Sequence, residues 1–196
     1  LTTEQANPQS AALDTLSVRE IVRLMNDEDR AAVTAVTSIL PQVEAITSEV
    51  VGRFRAGGRL VFAGAGTSGR LGILEAAECP PTFGLPSDRV VALMAGAPGS
   101  VFRAAEGLED DAGAGAAAIA AAAVGPADCV IGLTASGSTP YALGALRAAH
   151  AAGAFTAARC EFLSVDQGKR CHLTCAAARI VERLDRGQHS VGRSPW

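Results

Sequence analysis

The sequence predicts an α/β fold, a doubly wound parallel sheet flanked by helices and preceded by an N-terminal helical segment. Three observations carry this. Short apolar runs recur at residues 59–63, 89–94 and 128–134, each of the length of a buried parallel strand. Each run leads into a turn rich in glycine, serine, threonine or proline. After each turn comes a stretch of helical character, so that strand, turn and helix repeat along the chain.

The bulk properties suit that class. The chain has 196 residues, enough for one ordinary domain, and is 48% hydrophobic but only 4% aromatic, so alanine, valine and leucine must build the core. The net charge is −3 and is spread without long runs, whereas nucleic-acid binding wants a clustered basic face. No apolar stretch reaches the ~18 residues of a membrane span. The polar first ten residues lack a signal core, so a soluble cytoplasmic protein is expected. Five cysteines at irregular spacing argue against a disulfide scaffold.

Taken in order, residues 1–16 read as polar loop. Ser17 and Glu20 have capping-box spacing ahead of an apolar run, and Asn26-Asp27-Glu28-Asp29 is expected to end that helix and start another. Helical spacing continues through Val33, Val36, Ile39, Val43, Ile46 and Val50 and ends near Gly57-Gly58. After the first strand, a helix is expected from Gly69 to Cys79, stopped by Pro80-Pro81. The second strand leads to a helical stretch over residues 100–106 and an alanine-rich helix over 110–124. The third leads to a helix over 141–152, and one more strand falls near 154–158.

Chemistry gathers at two turns. The first, Gly64-Ala65-Gly66-Thr67-Ser68-Gly69-Arg70, sits between a strand and a helix, where such sheets bind ligands. Free amides at the helix start, with the Thr67 and Ser68 hydroxyls, can surround an anion, and the glycines permit positive φ and close backbone approach. The turn lacks the Gly-Lys-Ser/Thr ending of a P-loop. Its Gly-x-Gly-x-x-Gly spacing also fits a dinucleotide, but the second strand ends in Met94-Ala95-Gly96, with no acid for a ribose. A ligand-free tight turn is the bland alternative. The second turn, Ser136-Gly137-Ser138-Thr139, repeats the hydroxyl-rich pattern after another strand. Two such turns at one sheet edge would converge on one compact phosphate, which wants many donors.

Two carboxylates stand out. Glu78 falls at the expected end of a helix, and Glu109 in an acidic segment ahead of another. Taken alone, each reads as an exposed helix-terminal residue; as a pair with separated pKa values they could serve as general acid and base. Cys160, Cys171, His172, Cys175 and His189 fit no common zinc spacing, and no metal site is expected.

Several segments resemble the N-acetylmuramic acid 6-phosphate etherases of the sugar isomerase (SIS) superfamily. They are Leu13-Asp14-Thr15-Leu16-Ser17, Gly64 to Gly72, Glu78-Cys79-Pro80-Pro81-Thr82-Phe83-Gly84, Ala105 to Asp110 and Ala135 to Tyr141. The resemblance spans residues 2–157 and is shared in part by the vertebrate glucokinase regulator. It implies an SIS fold, a homodimer, and cleavage of the lactyl ether of a phosphorylated amino sugar to N-acetylglucosamine 6-phosphate and D-lactate, in cell-wall sugar recycling. It implies Glu78 as proton donor to the departing lactate, Glu109 as the second acid/base residue, and phosphate held by Gly66, Thr67, Ser68, Gly69, Ser136, Gly137, Ser138 and Thr139. No cofactor is implied, because the substrate's open-chain aldehyde is the electron sink. A non-catalytic sugar-phosphate-binding regulatory module is the alternative reading.

The resemblance divides the chain into a lead-in at 1–56, a sugar-phosphate-binding core at 57–158 and an atypical tail at 159–196. Ser138 stands where the etherases have arginine, removing one cationic contact. Residues 159–196 hold three of the five cysteines, two of the three histidines and the one lysine, and show none of the etherase pattern. That departure predicts impaired activity.

Overall fold

The computed structural model describes residues 6–160, and side chains as far as residue 158. Two helices lead in. α1 (Val18–Thr37) starts where the Ser17 hydroxyl accepts from the Glu20 amide at 3.4 Å and the Glu20 carboxylate accepts from the Ser17 amide at 2.8 Å. This is the capping box that the spacing of the two residues predicts. The break expected at residues 26–29 is absent, and α1 runs through them. Those residues are only modestly poor helix formers, and an Arg30–Asp27 ion pair at 2.7 Å spans the turn. The break falls at Ser38 and Ile39 instead. Pro41 then sits in the first turn of α2 (Leu40–Arg55), where a missing N–H is harmless.

Four strands, β1 (Leu60–Gly64), β2 (Val90–Met94), β3 (Cys129–Thr134) and β4 (Phe155–Cys160), form one parallel sheet in the order β2-β1-β3-β4. The runs at 59–63, 89–94 and 128–134 are thus the first three strands, and the fourth occupies the expected stretch and continues to Cys160. Residues 161–196, most of the stretch read as an atypical tail, lie outside the described residues.

The connecting helices are α3 (Gly66–Phe83), α4 (Gly99–Phe102), α5 (Ala112–Ala121) and α6 (Pro140–Ala151). α3 departs from expectation at both ends. It begins three residues before Gly69, and it contains Pro80 and Pro81 rather than stopping at them. Both prolines fall in its last turn. Gly84 then closes the helix at φ 66° and donates its N–H to the Pro80 carbonyl at 2.9 Å. The helix expected over 100–106 shrinks to the four residues of α4. The carbonyls of Ser100 and Val101, which would have carried it forward, accept from the Arg70 side chain at 2.8 Å each.

The core is made of small residues, with Val61, Val130, Ile119 and Leu146 among Ala63, Ala145, Ala149 and Ala154. Small side chains let elements approach closely. A Cβ on Gly115 of α5 would lie 2.0 Å from the Tyr141 carbonyl oxygen, and one on Gly144 of α6 would lie 2.0 Å from that of Ala112. At the amino ends of β1 and β3, the Asp128 carboxylate accepts from Arg59 Nη2 at 2.7 Å, Arg59 Nε at 3.1 Å and the amides of Arg59 and Gly125. Burial pushes this carboxyl up, but the bonds from Arg59 and Gly125 outweigh it and hold it below the ordinary range.

Candidate functional site

The sheet reverses its winding between β1 and β3, which makes that junction the topological switch point where such folds bind ligands. In register, Gly64 lies opposite Leu133, so the turns that follow the two strands begin side by side. The two turns thus leave one edge of the sheet side by side, but the cavity beside the first turn is lined by Gly66 and Arg70 of that turn and by none of Ser136, Gly137, Ser138 and Thr139.

The first turn enters α3 through Ala65, which is extended and makes no side-chain cap. The ladder starts with the Gly69 amide donating to the Ala65 carbonyl at 3.0 Å. The amides of Gly66, Thr67 and Ser68 precede it in the first turn, have no intrahelical acceptor, and lie at the positive end of an 18-residue helix. Its glycines divide the work. Only Gly66 takes positive φ, at 55°. Gly64 and Gly69 serve close approach, since a Cβ on Gly69 would lie 2.8 Å from the Gly64 carbonyl oxygen and 2.7 Å from Met94 Cγ. Thr67 is exposed, and Ser68 is 8% exposed.

The second turn is held by its own hydroxyls. Thr134, 3% exposed at the end of β3, accepts from the Gly137 amide at 3.2 Å and shares a hydrogen bond with the Thr139 hydroxyl at 2.8 Å. The Ser136 and Ser138 hydroxyls pair at 2.8 Å, and Gly137 turns the chain at φ 72°. Thr134 is a residue that sequence reasoning missed as part of the site. Its signal was a polar side chain closing an otherwise apolar strand.

A cavity of about 210 Å³ opens beside the first turn. Its walls include Gly66 and Arg70 from the start of α3, Ala95 beyond β2, Ser100 of α4, and Glu106 and Glu109 from the following loop. Glu109 rides on a single 3-10 turn (Leu108–Asp110), entered through Gly107 at φ 74°. Leu108 packs into the space left by Gly96, where a Cβ would lie 2.2 Å from Leu108 Cδ1. Gly66 and Glu109 thus share one cavity. Glu78 does not line it: it is exposed on α3, twelve residues past Gly66, or ~18 Å along the helix axis. Nor is Glu78 at the helix end, because α3 continues to Phe83.

Among the described residues, no group of three or more His, Cys, Asp or Glu side chains is placed to hold a metal ion. Of the cysteines and histidines weighed as ligands, Cys171, His172, Cys175 and His189 lie outside the described residues, as does the Cys160 side chain. Cys129 is buried at the start of β3, away from the two turns, and burial pushes its thiol up to about 11. No described helix is long and apolar enough to cross a membrane.

Residues 42–150 match the family model of the glucokinase regulatory protein N-terminal SIS domain. Over 159 residues the chain is 52% identical to the N-acetylmuramic acid 6-phosphate etherase of Cutibacterium acnes, covering 81% of this chain and 52% of that protein. It is 48% identical over 158 residues to the etherase of Pectobacterium atrosepticum, covering 81% and 52%. It is 47% identical over 170 residues to that of Rubrobacter xylanophilus, covering 87% and 55%. The chain therefore spans about half the length of these curated relatives.

Proposed function

Because the chain belongs to the family of the glucokinase regulatory protein N-terminal SIS domain, we propose that its paired turns hold a sugar phosphate and that it acts as an N-acetylmuramic acid 6-phosphate etherase. The observation that supports this is the meeting, at the carboxyl end of β1, of the open amino end of α3 with a cavity that Gly66 and Glu109 both line. The first turn supplies three open amides, and the hydroxyls of Thr67, Ser68, Ser136, Ser138 and Thr139 supply further donors for a phosphate.

The reaction is an elimination followed by addition of water. The open-chain aldehyde acidifies the C2 proton, and a carboxylate removes it. The C2–H electrons form the C2=C3 bond as the C3–O bond breaks, and the departing lactate oxygen takes a proton from a carboxylic acid. Water then adds its oxygen to C3 and a proton to C2. Glu78 is assigned as the acid and Glu109 as the second acid/base residue, following the etherase motifs. A homodimer fits this assignment. Leu71, Leu74 and Glu78 follow one another along a single exposed face of α3, a surface suited to a second copy that would bring a carboxylate toward a neighbouring cavity. A cytoplasmic setting goes with a phosphorylated substrate, whose charge bars it from crossing a membrane unaided. Serine at position 138, where the etherase motif has arginine, and the departure of residues 159–196 from the etherase pattern support slower turnover than in those etherases.

The second reading, a non-catalytic sugar-phosphate-binding module, is favoured by the position of Glu78 outside the cavity. The test is D-lactate release from N-acetylmuramate 6-phosphate by the purified chain and by its Glu78→Gln and Glu109→Gln variants. The expected result is release that each substitution lowers by about a hundredfold or more, the worth of a general acid or base. Binding without release would replace the etherase by the module. Neither binding nor release would overturn both.

A further inference from the structure

We propose that Arg70 is a positioning residue, which holds the loop carrying Glu109 against the phosphate turn. The proposal rests on the sugar-phosphate reading of that turn and adds to it what fixes the opposite wall of the cavity.

Arg70 lies one turn into α3, just past the open amides and Gly69. Its Nε donates to the Val101 carbonyl and its Nη2 to the Ser100 carbonyl, both at 2.8 Å, across thirty positions of sequence. These are the carbonyls that the amides of Ala104 and Ala105 would take if α4 continued. With them occupied, α4 stops at Phe102, and the chain leaves extended through Arg103 at φ −133° and ψ 134°. Residues 104–109 then run along the cavity. The far end of that run is tied by Leu108 against Gly96, and Ser100 crowds the same glycine, whose Cβ would lie 2.3 Å from Ser100 Oγ. The Glu109 loop is therefore pinned at two points, and Arg70 supplies the polar one.

The chemistry favours arginine for this task. A planar guanidinium sends two N–H groups in parallel to two neighbouring carbonyls, whereas a lysine ammonium offers no fixed fork. Among the described residues, no carboxylate forms an ion pair with Arg70, so its bonds go to neutral oxygens, while Glu106 and Glu109 stand on the same cavity wall.

The test uses the full chain with Arg70→Ala and Arg70→Lys, and two readouts. In hydrogen exchange, the amides of residues 103–109 should exchange about tenfold faster or more in Arg70→Ala, as expected when charge-assisted bonds that close a loop are lost. The amides of β1 and β3 should stay unchanged. Arg70→Lys should fall between, and millimolar guanidinium should restore protection to Arg70→Ala but not to the native chain, which needs none. In calorimetry, Arg70→Ala should weaken N-acetylglucosamine 6-phosphate by about tenfold, while inorganic phosphate, which needs only the turn, stays within about twofold. Unchanged exchange at 103–109 would overturn the proposal. So would a parallel loss of both ligands, which would make Arg70 a direct phosphate contact. If the native chain binds neither probe, the sugar-phosphate reading falls, and the exchange experiment still decides the role of Arg70.

Discussion

Replacing Gly69 by alanine probes how the turn between β1 and α3 is built. The new methyl would meet Met94 Cγ at 2.7 Å and the Gly64 carbonyl oxygen at 2.8 Å. The methionine end can swing aside, but the Gly64 oxygen belongs to the backbone of β1 and cannot. α3 must therefore lift from the strand by several tenths of an ångström. Overpacking of this kind costs ~1–3 kcal/mol. Alanine returns up to ~1 kcal/mol through its better helix propensity. The net expectation is a loss of ~1–2 kcal/mol, which in a domain of this size lowers the Tm by about 2–8 °C. Because the lifted helix carries the open amides of Gly66, Thr67 and Ser68, affinity for inorganic phosphate should fall about tenfold. Gly66→Ala is the control. Nothing lies within 4 Å of its Cβ position, yet its φ of 55° makes any side chain strained, for ~1–2 kcal/mol without displacement of the helix. Thermal unfolding followed by circular dichroism and a phosphate titration read both effects. A Gly69→Ala variant as stable as the native chain, with unchanged phosphate affinity, would refute the steric reasoning.

Two further predictions follow from groups that hold the sheet and the second turn. Asp128→Asn should destabilise the protein by ~1–3 kcal/mol at pH 7, because it strips the charge partner from Arg59 while leaving most of the shape. The folded-state pKa of Asp128 is lowered, so its contribution is complete above the ordinary carboxyl value, near 4, and is lost as pH falls through the lower folded value. Urea unfolding should accordingly show the gap between native and Asp128→Asn narrowing below about pH 4; a gap that widens there would be wrong for this sign. Thr134→Val keeps the shape of a side chain 3% exposed but removes the acceptor for the Gly137 amide and the partner of Thr139. It should cost ~1–2 kcal/mol in urea unfolding and weaken inorganic phosphate binding, whereas an unchanged titration would remove Thr134 from the site.

Much of the architecture is legible before folding, because it is written in local chemistry. The three apolar runs are strands since their length and neighbours admit little else, and Ser17 with Glu20 caps α1 through bonds that span only three residues. The two turns are legible for the same reason. Other features escape local reading. The polar run Asn26-Asp27-Glu28-Asp29 looks like a helix break, yet α1 continues, since propensity penalties there are small. Pro80 and Pro81 look like a stop, and yet fall inside the last turn of α3. Gly64, Gly66 and Gly69 look alike in the turn, but two are demanded by the approach of a helix to a strand and one by its own φ.

By itself, then, the sequence determined the α/β class, the strands and the two donor-rich turns, all set by neighbours along the chain. Only the tertiary structure decided what those turns face. The β1–β3 pairing set them side by side. Arg70 reached across thirty residues to end α4 early and swing Glu109 into the cavity, while Glu78 was left three turns away on the face of α3. Such placements depend on backbone carbonyls and glycine gaps brought together by packing, and a linear pattern of residue types carries no record of which carbonyl a guanidinium will find.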